Sequence, residues 1–294
     1  KLYCKMWESE GQPVGILQIV HGISEHLERY DHFATWMTQR GFLVVANDHM
    51  GHGRTVRDGH LMGHFYGGWA AAVDDVEAVH QRIAQAFPEV PYIILGHSMG
   101  SFLTRTLLFR HPNHGLSGAI LSGTGWMPTG ILQVGSRVCR HEIARKTAMG
   151  RSPILQKLMF GSFNLPFAPA RTPYDWISTD SAVVDGFVTD PLCGILPTLG
   201  LIEALICGFE INQKMDNLRV MQTDLPILFL SGESDPVGEM GYGVRLTAQR
   251  FKEAGMVKVI TKLYPGFRHE ILNETCKMEI YDYILHWISD VIKM

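Results

Sequence analysis

The stretch PYIILGHSMGSFLTRTLLF, residues 91–109, changes its apolar spacing in the middle. Five apolar or aromatic residues lead directly into Gly96, as they do in a fully buried strand. After Gly100 the apolar residues recur three and four positions apart, which is the spacing of a helix face. The stretch therefore predicts a buried strand, a tight turn that carries Ser98, and a helix.

The turn itself has the pattern Gly-x-Ser-x-Gly. Between a strand and a helix, this pattern is typical of a nucleophile elbow, in which a serine projects from a strained turn. Gly96 and Gly100 flank the serine because the turn leaves little room for side chains. Ser98 also precedes a helix amino terminus, whose free N–H groups and dipole favour negative charge. We predict that Ser98 is a nucleophile; the alternative is an ordinary helix cap.

A serine hydroxyl needs a base to remove its proton, and the base needs an orienting group. In this type of fold the acid and then the histidine follow the serine, each after a later strand. The apolar run ILFLSG is followed by Glu233 and Asp235, and ITKLYPG is followed by His269. We prefer Asp235 because it lies further past the strand and precedes a proline. The alternatives are a turn-forming aspartate and a solvated histidine.

Ester cleavage also needs backbone donors for the oxyanion. We expect one donor to be the N–H of Met99, directly after the serine. The second is expected in HGISEH, residues 21–26, where the N–H of Ile23 follows a flexible His-Gly pair. Two nearby residues, His26 and Arg29, either orient this loop or pair with carboxylates, and we favour the structural role.

The rest of the chain alternates β-rich and helical patterns up to residue 124, and again from residue 218 onward. Continuous apolar strands between amphipathic helices are typical of a parallel sheet covered on both faces. Residues 125–217 lack this alternation and contain glycine, proline and short helical pieces. We predict an α/β core of residues 1–124 and 218–294, with a mostly parallel, doubly wound sheet, and a mainly helical insertion of residues 125–217.

At this point the chain resembles the α/β-hydrolases of the monoacylglycerol lipase and lysophospholipase-like branch, which includes serine aminopeptidase-type members. The pieces that carry the resemblance fall in family order between His21 and Glu274: HGISEHLERYDHFA, ANDHMGHGRT, GHSMGS, SGESDPVG and YPGFRHEILNE. Residues 174–194, YDWISTDSAVVDGFVTDPLCG, resemble a segment of bacterial members. The resemblance implies the α/β-hydrolase fold, a helical lid at residues 125–217, and cleavage of carboxylic esters of medium or long acyl chains without a cofactor.

Carried over position by position, the resemblance implies that Ser98 is the nucleophile, Asp235 the acid and His269 the base. It implies that Ile23 and Met99 supply the oxyanion N–H groups. An epoxide hydrolase or dehalogenase is disfavoured, because those enzymes place an aspartate where Ser98 stands.

Composition restricts the partners. The 294 residues carry a net charge of −3, which argues against a nucleic-acid binder. The five cysteines are scattered and never spaced Cys-x-x-Cys, so we predict reduced thiols and a cytoplasmic protein with at most peripheral membrane contact. The sequence contains no apolar run of membrane-spanning length and no basic-then-apolar leader. It begins at Lys1 rather than methionine, so we expect that a native amino terminus is missing.

One histidine-rich segment, DHMGHGRTVRDGHLMGHF at residues 48–65, has the composition of a metal site. Its spacing matches no zinc template, and its first part matches a structural loop of the family. We therefore predict no metal and no cofactor. The residues concerned are Asp48, His49, His52, Asp58, His60 and His64.

The first half of the predicted lid contains more basic than acidic residues. Between residues 125 and 170 six basic residues face a single acidic one, Glu142, and apolar residues surround them. One interpretation is a solvated basic face, and the other is a surface that approaches anionic lipid and admits an acyl chain. The basic residues are Arg137, Arg140, Arg145, Lys146, Arg151 and Lys157.

These observations predict a serine esterase for monoacylglycerols, lysophospholipids or related single-chain acyl esters, with an apolar pocket. Small esters remain an alternative, as does a ligand-binding protein that has lost catalysis. A peptidase or amidase would need an acidic site for an amino terminus, and Asp175, Asp180, Asp185 and Asp190 are available. The expected pocket residues are His97, Met127, Phe160, Ile177 and Leu196.

Overall fold

The computed structural model describes residues 1–57 and 59–293 and contains one sheet of seven strands. The strands are β1 (Cys4–Trp7), β2 (Gly15–Val20), β3 (Phe42–Asn47), β4 (Tyr92–His97), β5 (Gly118–Ser122), β6 (Ile227–Gly232) and β7 (Val259–Tyr264). They are ordered β1-β3-β2-β4-β5-β6-β7, and β1 is antiparallel while the other neighbours pair in parallel. The predicted mostly parallel sheet is confirmed.

Helices cover both faces of the sheet, because the strand side chains alternate between two apolar clusters. The helices are α1 (Asp31–Thr38), α2 (Gly68–Ala86), α3 (Met99–Arg110), α4 (Thr129–Lys146), α5 (Pro153–Phe160), α6 (Ser181–Thr189), α7 (Leu199–Asn212), α8 (Met215–Leu218), α9 (Tyr242–Glu253) and α10 (Lys277–Ile292). One cluster buries side chains of α1 and α10, and the other buries side chains of α2, α3, α7 and α9. The sheet is therefore doubly wound.

The edge strand β1 is absent from the sequence-based prediction. Its four residues, CKMW, alternate between exposed and half-buried, and the strand pairs only with β3. A short, half-exposed edge strand carries too few apolar residues to produce a strand signal. Its position is fixed instead by backbone pairing with a strand about forty residues later, as in the register Cys4 with Asn47.

The predicted insertion, residues 125–217, contains α4 to α8 between β5 and β6. Its helix α7 has two buried sides: Leu201 and Leu205 join the main core cluster, while Ile202 joins a smaller cluster with residues of α4 and α5. The close approach of α7 to α2 depends on Gly208, where an added Cβ would lie 2.4 Å from the ring of Trp69.

The insertion is also tied to α3 at both ends. The buried guanidinium of Arg105 donates to the carbonyl of Gly125 at 3.0 Å and to that of Asn212 at 3.1 Å. No carboxylate pairs with this guanidinium within the described residues, and burial lowers its pKa to about 9. The helix that follows Ser98 thus holds the first residue of the insertion and the end of α7 relative to the core.

The contact between α7 and α2 predicts opposite effects for two matched glycine substitutions. Gly208→Ala drives a methyl group into the Trp69 ring, so we expect a loss of about 1–2 kcal/mol of unfolding free energy despite the better helix propensity. Gly186→Ala in α6 meets open space, and we expect a gain of about 0.5–1 kcal/mol. Urea unfolding followed by far-UV circular dichroism measures both, and equal stability of the two variants would contradict this packing.

Candidate active site

Ser98 lies at the sharp turn between β4 and α3, with φ 51° and ψ −121°. A non-glycine residue at positive φ is strained, and the turn holds it there because the surrounding backbone is close. A Cβ at Gly100 would lie 1.9 Å from the carbonyl oxygen of Val20, and one at Gly96 would lie 2.5 Å from that of Gly100. Gly100 is therefore required by the packing of α3 against the end of β2, and Gly96 by the packing of α3 against β4.

The backbone of Ser98, rather than its hydroxyl, makes the hydrogen bonds at this turn among the described residues. Its N–H donates to the carbonyl of Ser122 at 2.9 Å, and its carbonyl accepts from the Ser101 hydroxyl at 2.6 Å. The Ser98 hydroxyl is left facing a cavity that His269 also lines. In such sites the hydrogen bond from nucleophile to base often closes only when substrate binds.

Asp235 and His269 form a buried pair. Nδ1 of His269 lies 2.9 Å from Oδ2 of Asp235, and this aspartate also accepts from the Ser231 hydroxyl and the Val237 N–H. The competing acid, Glu233, lies elsewhere and pairs with the exposed Arg245 at 2.6 Å. The structure therefore brings Asp235, and not Glu233, to the histidine.

The surroundings of His269 favour its protonated form. Burial alone would lower the pKa of this imidazole, but attraction to Asp235, their hydrogen bond and the nearby Glu270 and Glu25 carboxyls together raise it. The ring of the neighbouring His97 packs against that of His269, with 4.7 Å between their centroids and a tilt of 47°. Burial holds the pKa of His97 well below its usual value. The site thus pairs one readily protonated histidine with one that stays neutral.

The loop that carries Ile23 is held from several sides. The N–H of Gly22 donates to the Glu25 carboxylate at 2.5 Å, and the Ser24 hydroxyl donates to the carbonyl of Ile195 at 2.5 Å. Within the described residues, we find no hydrogen bond donated by the amide of Ile23 or Met99. Both amides are therefore free to donate to a substrate oxygen beside Ser98.

Glu25, Arg29 and Glu270 form a buried charged cluster beside this loop, and the sequence analysis assigned no role to either glutamate. Nη2 of Arg29 lies 2.5 Å from Glu270, and its Nε lies 3.9 Å from Glu25. Burial raises the pKa of Glu25 to about 7, with Arg29 opposing the rise and Glu270 adding to it. The four-residue spacing of Glu25 and Arg29 was the available sequence signal. Arg29 joins the loop that carries Ile23 to the residue after His269.

A cavity of about 340 Å³ opens at Ser98 and His269. Four of the five expected pocket residues line it, namely His97, Phe160, Ile177 and Leu196. Met127 does not line it: its side chain packs against the apolar cluster of the insertion, and its N–H donates to Gln213. Apolar residues that the sequence analysis left unassigned also line the cavity, among them Tyr174, Trp176, Phe187 and Pro197.

The four aspartates considered for an amino-terminus site do not line this cavity within the described residues. Each has a local partner: Asp175 and Asp185 bind Arg171, Asp180 accepts from the N–H of Ala182, and Asp190 contacts His26. The acidic groups that do line the cavity are Glu25 and Glu270, both from the core.

The histidine-rich segment is structural where the structure describes it; Asp58 lies outside the described residues. His49 is buried and bonds through Nε2 to the carbonyl of His21, while Asp48 accepts from the N–H groups of Leu27 and Arg54. Within the described residues, His49, His52, His60 and His64 belong to no group of ligands close enough to share an ion.

The two candidate acids predict contrasting variants. Asp235→Asn removes the charge that orients and stabilises protonated His269, so we expect kcat to fall about 10⁴-fold. In the parent, kcat/KM should fall as pH drops through a His269 pKa above 6.5, because only the neutral imidazole is a base. Without the aspartate, burial dominates and this acid limb should move to lower pH.

The matched control is Glu233→Gln, which removes a carboxylate two residues away that bonds only to exposed Arg245 in the described structure. We expect its kcat to stay within about twofold of the parent, as for other surface pairs. A large loss in Glu233→Gln with little loss in Asp235→Asn, measured on the same ester, would reverse the assignment.

Known proteins are similar to this chain both in sequence and in fold. Residues 11–276 match the family described as serine aminopeptidase S33. The chain is 30% identical to the monoacylglycerol lipase of Mycolicibacterium smegmatis over 96% of this chain and 91% of that protein. It superposes with a TM-score of 0.92 on a highly thermostable carboxyl esterase from Bacillus coagulans in complex with glycerol, at 29% identity over 99% of this chain and 94% of that one. A lipase in its open form also gives 0.92, at 26% identity over 100% and 95%.

Proposed function

This chain belongs to the serine aminopeptidase S33 family of α/β-hydrolases, and we propose that it is a serine esterase that cleaves monoacylglycerols through an acyl-enzyme. The observation that carries the proposal is the meeting of Ser98, the His269–Asp235 pair and two free amides at one end of a mainly apolar cavity. Similarity to a monoacylglycerol lipase over nearly the whole chain supports the same conclusion.

In the acylation step, Nε2 of His269 takes the proton of the Ser98 hydroxyl, and Oγ attacks the ester carbonyl. Asp235 holds the imidazole through Nδ1 and stabilises the charge that it gains. The developing oxyanion accepts from the N–H groups of Ile23 and Met99, which donate no other hydrogen bond within the described residues. Protonated His269 then donates to the leaving alcohol.

In the deacylation step, His269 removes a proton from water, which attacks the acyl group on Ser98. The raised pKa of His269 suits both steps, since the same group must accept and return a proton near neutral pH. No metal or organic cofactor is needed for this sequence of bond changes, which involves two nucleophilic substitutions at one carbonyl carbon.

The cavity supports a long acyl chain with a neutral head group. Phe160, Ile177 and Leu196 provide apolar wall for the cavity, as an acyl chain requires. At the Ser98 end, the buried Glu25 and Glu270 carboxyls share Arg29, so this cation is already paired and is not available to a phosphate group. A glycerol head group, which carries hydroxyls and no charge, suits this end better than the head group of a lysophospholipid.

The proposal predicts chain-length dependence that requires Ser98. We expect turnover of 4-nitrophenyl esters from acetate to palmitate to peak at C8 or longer, and a medium-chain monoacylglycerol to be cleaved faster than its lysophospholipid counterpart. Ser98→Ala should lose at least about 10⁴-fold in kcat, because the nucleophile is gone. Ser101→Ala, one turn along α3, should retain activity within about tenfold.

The other outcomes of the same assay separate the competing functions. An optimum at acetate would replace the lipid proposal by small esters. Faster cleavage of the corresponding anilides would indicate an amidase or peptidase. A parent that cleaves no substrate in the series would indicate a ligand-binding protein.

We further propose that the insertion contacts anionic lipid surfaces. None of the helices within the described residues combines the length and apolar character needed to cross a bilayer. The outer surface of α4 and α5 nevertheless exposes Ile131, Val134, Ile154 and Leu158, each by more than half of its accessible area. Exposed basic residues lie among them on the same helices, which is the composition of an interfacial surface. The basic residues are Arg137, Arg140, Arg145, Lys146 and Lys157.

If the insertion contacts lipid, removing positive charges from it should weaken vesicle binding more than removing the same number elsewhere. Replacing Arg137, Arg140 and Arg145 with Gln should weaken binding to phosphatidylserine vesicles by roughly one to two orders of magnitude at low salt, since each cation near such a surface contributes about 1 kcal/mol. Replacing Arg219, Lys252 and Lys258, which are exposed elsewhere, changes the net charge equally and should have little effect. Equal losses in the two triple variants, measured by vesicle sedimentation, would contradict contact through the insertion.

A further inference from the structure

Three potential metal ligands meet where the oxyanion loop contacts the insertion. Nε2 of His26 lies 2.9 Å from Oδ2 of Asp190, and one ligand atom each of His26, Asp190 and Cys193 lies within 4.8 Å of the others. His26 and Cys193 are buried, whereas Asp190 is partly exposed and offers a path from solvent. The cluster lies outside the set of residues that the hydrolytic mechanism uses.

We propose that His26, Asp190 and Cys193 form a binding site for a divalent ion of the zinc type. Imidazole nitrogen, carboxylate oxygen and thiolate sulfur are the three ligand types that zinc binds in proteins, and three protein ligands leave a fourth position for water. A softer ion such as Zn²⁺ or Co²⁺ is favoured over Mg²⁺ or Ca²⁺, because two of the ligands are nitrogen and sulfur. This site is absent from local sequence templates, since His26 and Asp190 are 164 positions apart.

The charges around the cluster permit a cation. Nη1 of Arg29 lies 4.0 Å from Sγ of Cys193 and is the nearest positive group in the described contacts. Its guanidinium is already paired with Glu270 at 2.5 Å and lies 3.9 Å from Glu25. The neighbourhood therefore holds more carboxyl groups than cations, and Asp190 adds a further negative charge to the site itself.

Binding at this site must release a proton. Burial raises the pKa of the Cys193 thiol well above its usual value, so the free protein carries the neutral S–H. The ion replaces that hydrogen on sulfur, and the proton leaves to the solvent. Nε2 of His26 donates its hydrogen to Asp190 in the free protein, so ion binding at Nε2 requires that hydrogen to leave and the ring proton to lie on Nδ1.

An ion bound here would connect two elements that shape the catalytic cavity. His26 belongs to the loop that carries Ile23, and Cys193 precedes Gly194 and Ile195, which line the cavity. The same elements already share the hydrogen bond from the N–H of Gly194 to the carbonyl of Ser24 at 2.8 Å. Occupancy would therefore add a further link across this contact and raise the thermal stability of the folded protein.

The test is a titration with Co²⁺, which reports thiolate coordination through a sulfur-to-cobalt charge-transfer band. The titration uses full-length protein in which the exposed Cys4 and Cys207 are replaced by serine, so that these thiols cannot contribute. We expect one equivalent of Co²⁺ to produce the band, to raise the melting temperature, and to be displaced by Zn²⁺.

Two variants decide whether the band comes from this cluster. Cys193→Ser should abolish the band, and Asp190→Asn, at the partly exposed position, should weaken binding at least tenfold while keeping the band. Both should be compared with the parent for their far-UV spectra, so that an unfolded Cys193→Ser is detected and Asp190→Asn then decides. The proposal is overturned if the parent shows no band, or if the folded variants bind Co²⁺ as the parent does.

Discussion

The close contact between the carbonyl end of β2 and the first turn of α3 is the constraint on which the site depends. The carbonyl oxygen of Val20 occupies the space that a side chain at Gly100 would need. This contact lets α3 begin directly after Ser98 and holds that residue at positive φ. It also places the loop after β2, with Gly22 and Ile23, beside the serine. One backbone approach thus accounts for both the position of Ser98 at the cavity and the neighbouring backbone amides of Ile23 and Met99.

The site also requires that the loops after different strands keep fixed positions relative to one another. Arg29 meets this requirement by joining Glu25, whose carboxylate holds the N–H of Gly22, to Glu270, which follows His269. A buried guanidinium with two carboxyl partners is rigid because each lost partner would leave an unpaired charge in the interior. The oxyanion loop and the His269 loop are therefore positioned by the same side chain, although 241 residues separate Arg29 from Glu270.

The sequence predicted those features whose signals are local. Ser98, Asp235 and His269 each follow an apolar strand, and the carboxyl ends of parallel strands meet at one edge of a sheet. Strand β1 was missed because its position comes from pairing with β3 rather than from its own composition. Met127 was expected in the pocket because it is apolar and lies in the insertion, but apolar residues there also form a separate small core.

Contacts between distant residues account for the rest of the site. Neither the Arg29–Glu270 pair nor the His26–Asp190 contact has a spacing that a motif could encode. The packing of α7 on α2 likewise depends on Gly208 meeting Trp69, which are 139 positions apart by their numbers. Such contacts form only when the chain has folded, so local sequence patterns do not predict them.

We propose that Ser98 is a nucleophile and that His269 activates it. The most direct test is covalent labelling of the folded protein with a fluorophosphonate, followed by intact-mass measurement and peptide mapping. We expect one label per chain, attached to Ser98. It should form rapidly in the parent and much more slowly when His269 is replaced by glutamine. Absence of labelling, or labelling at another residue with unchanged rate in His269→Gln, would contradict the proposal.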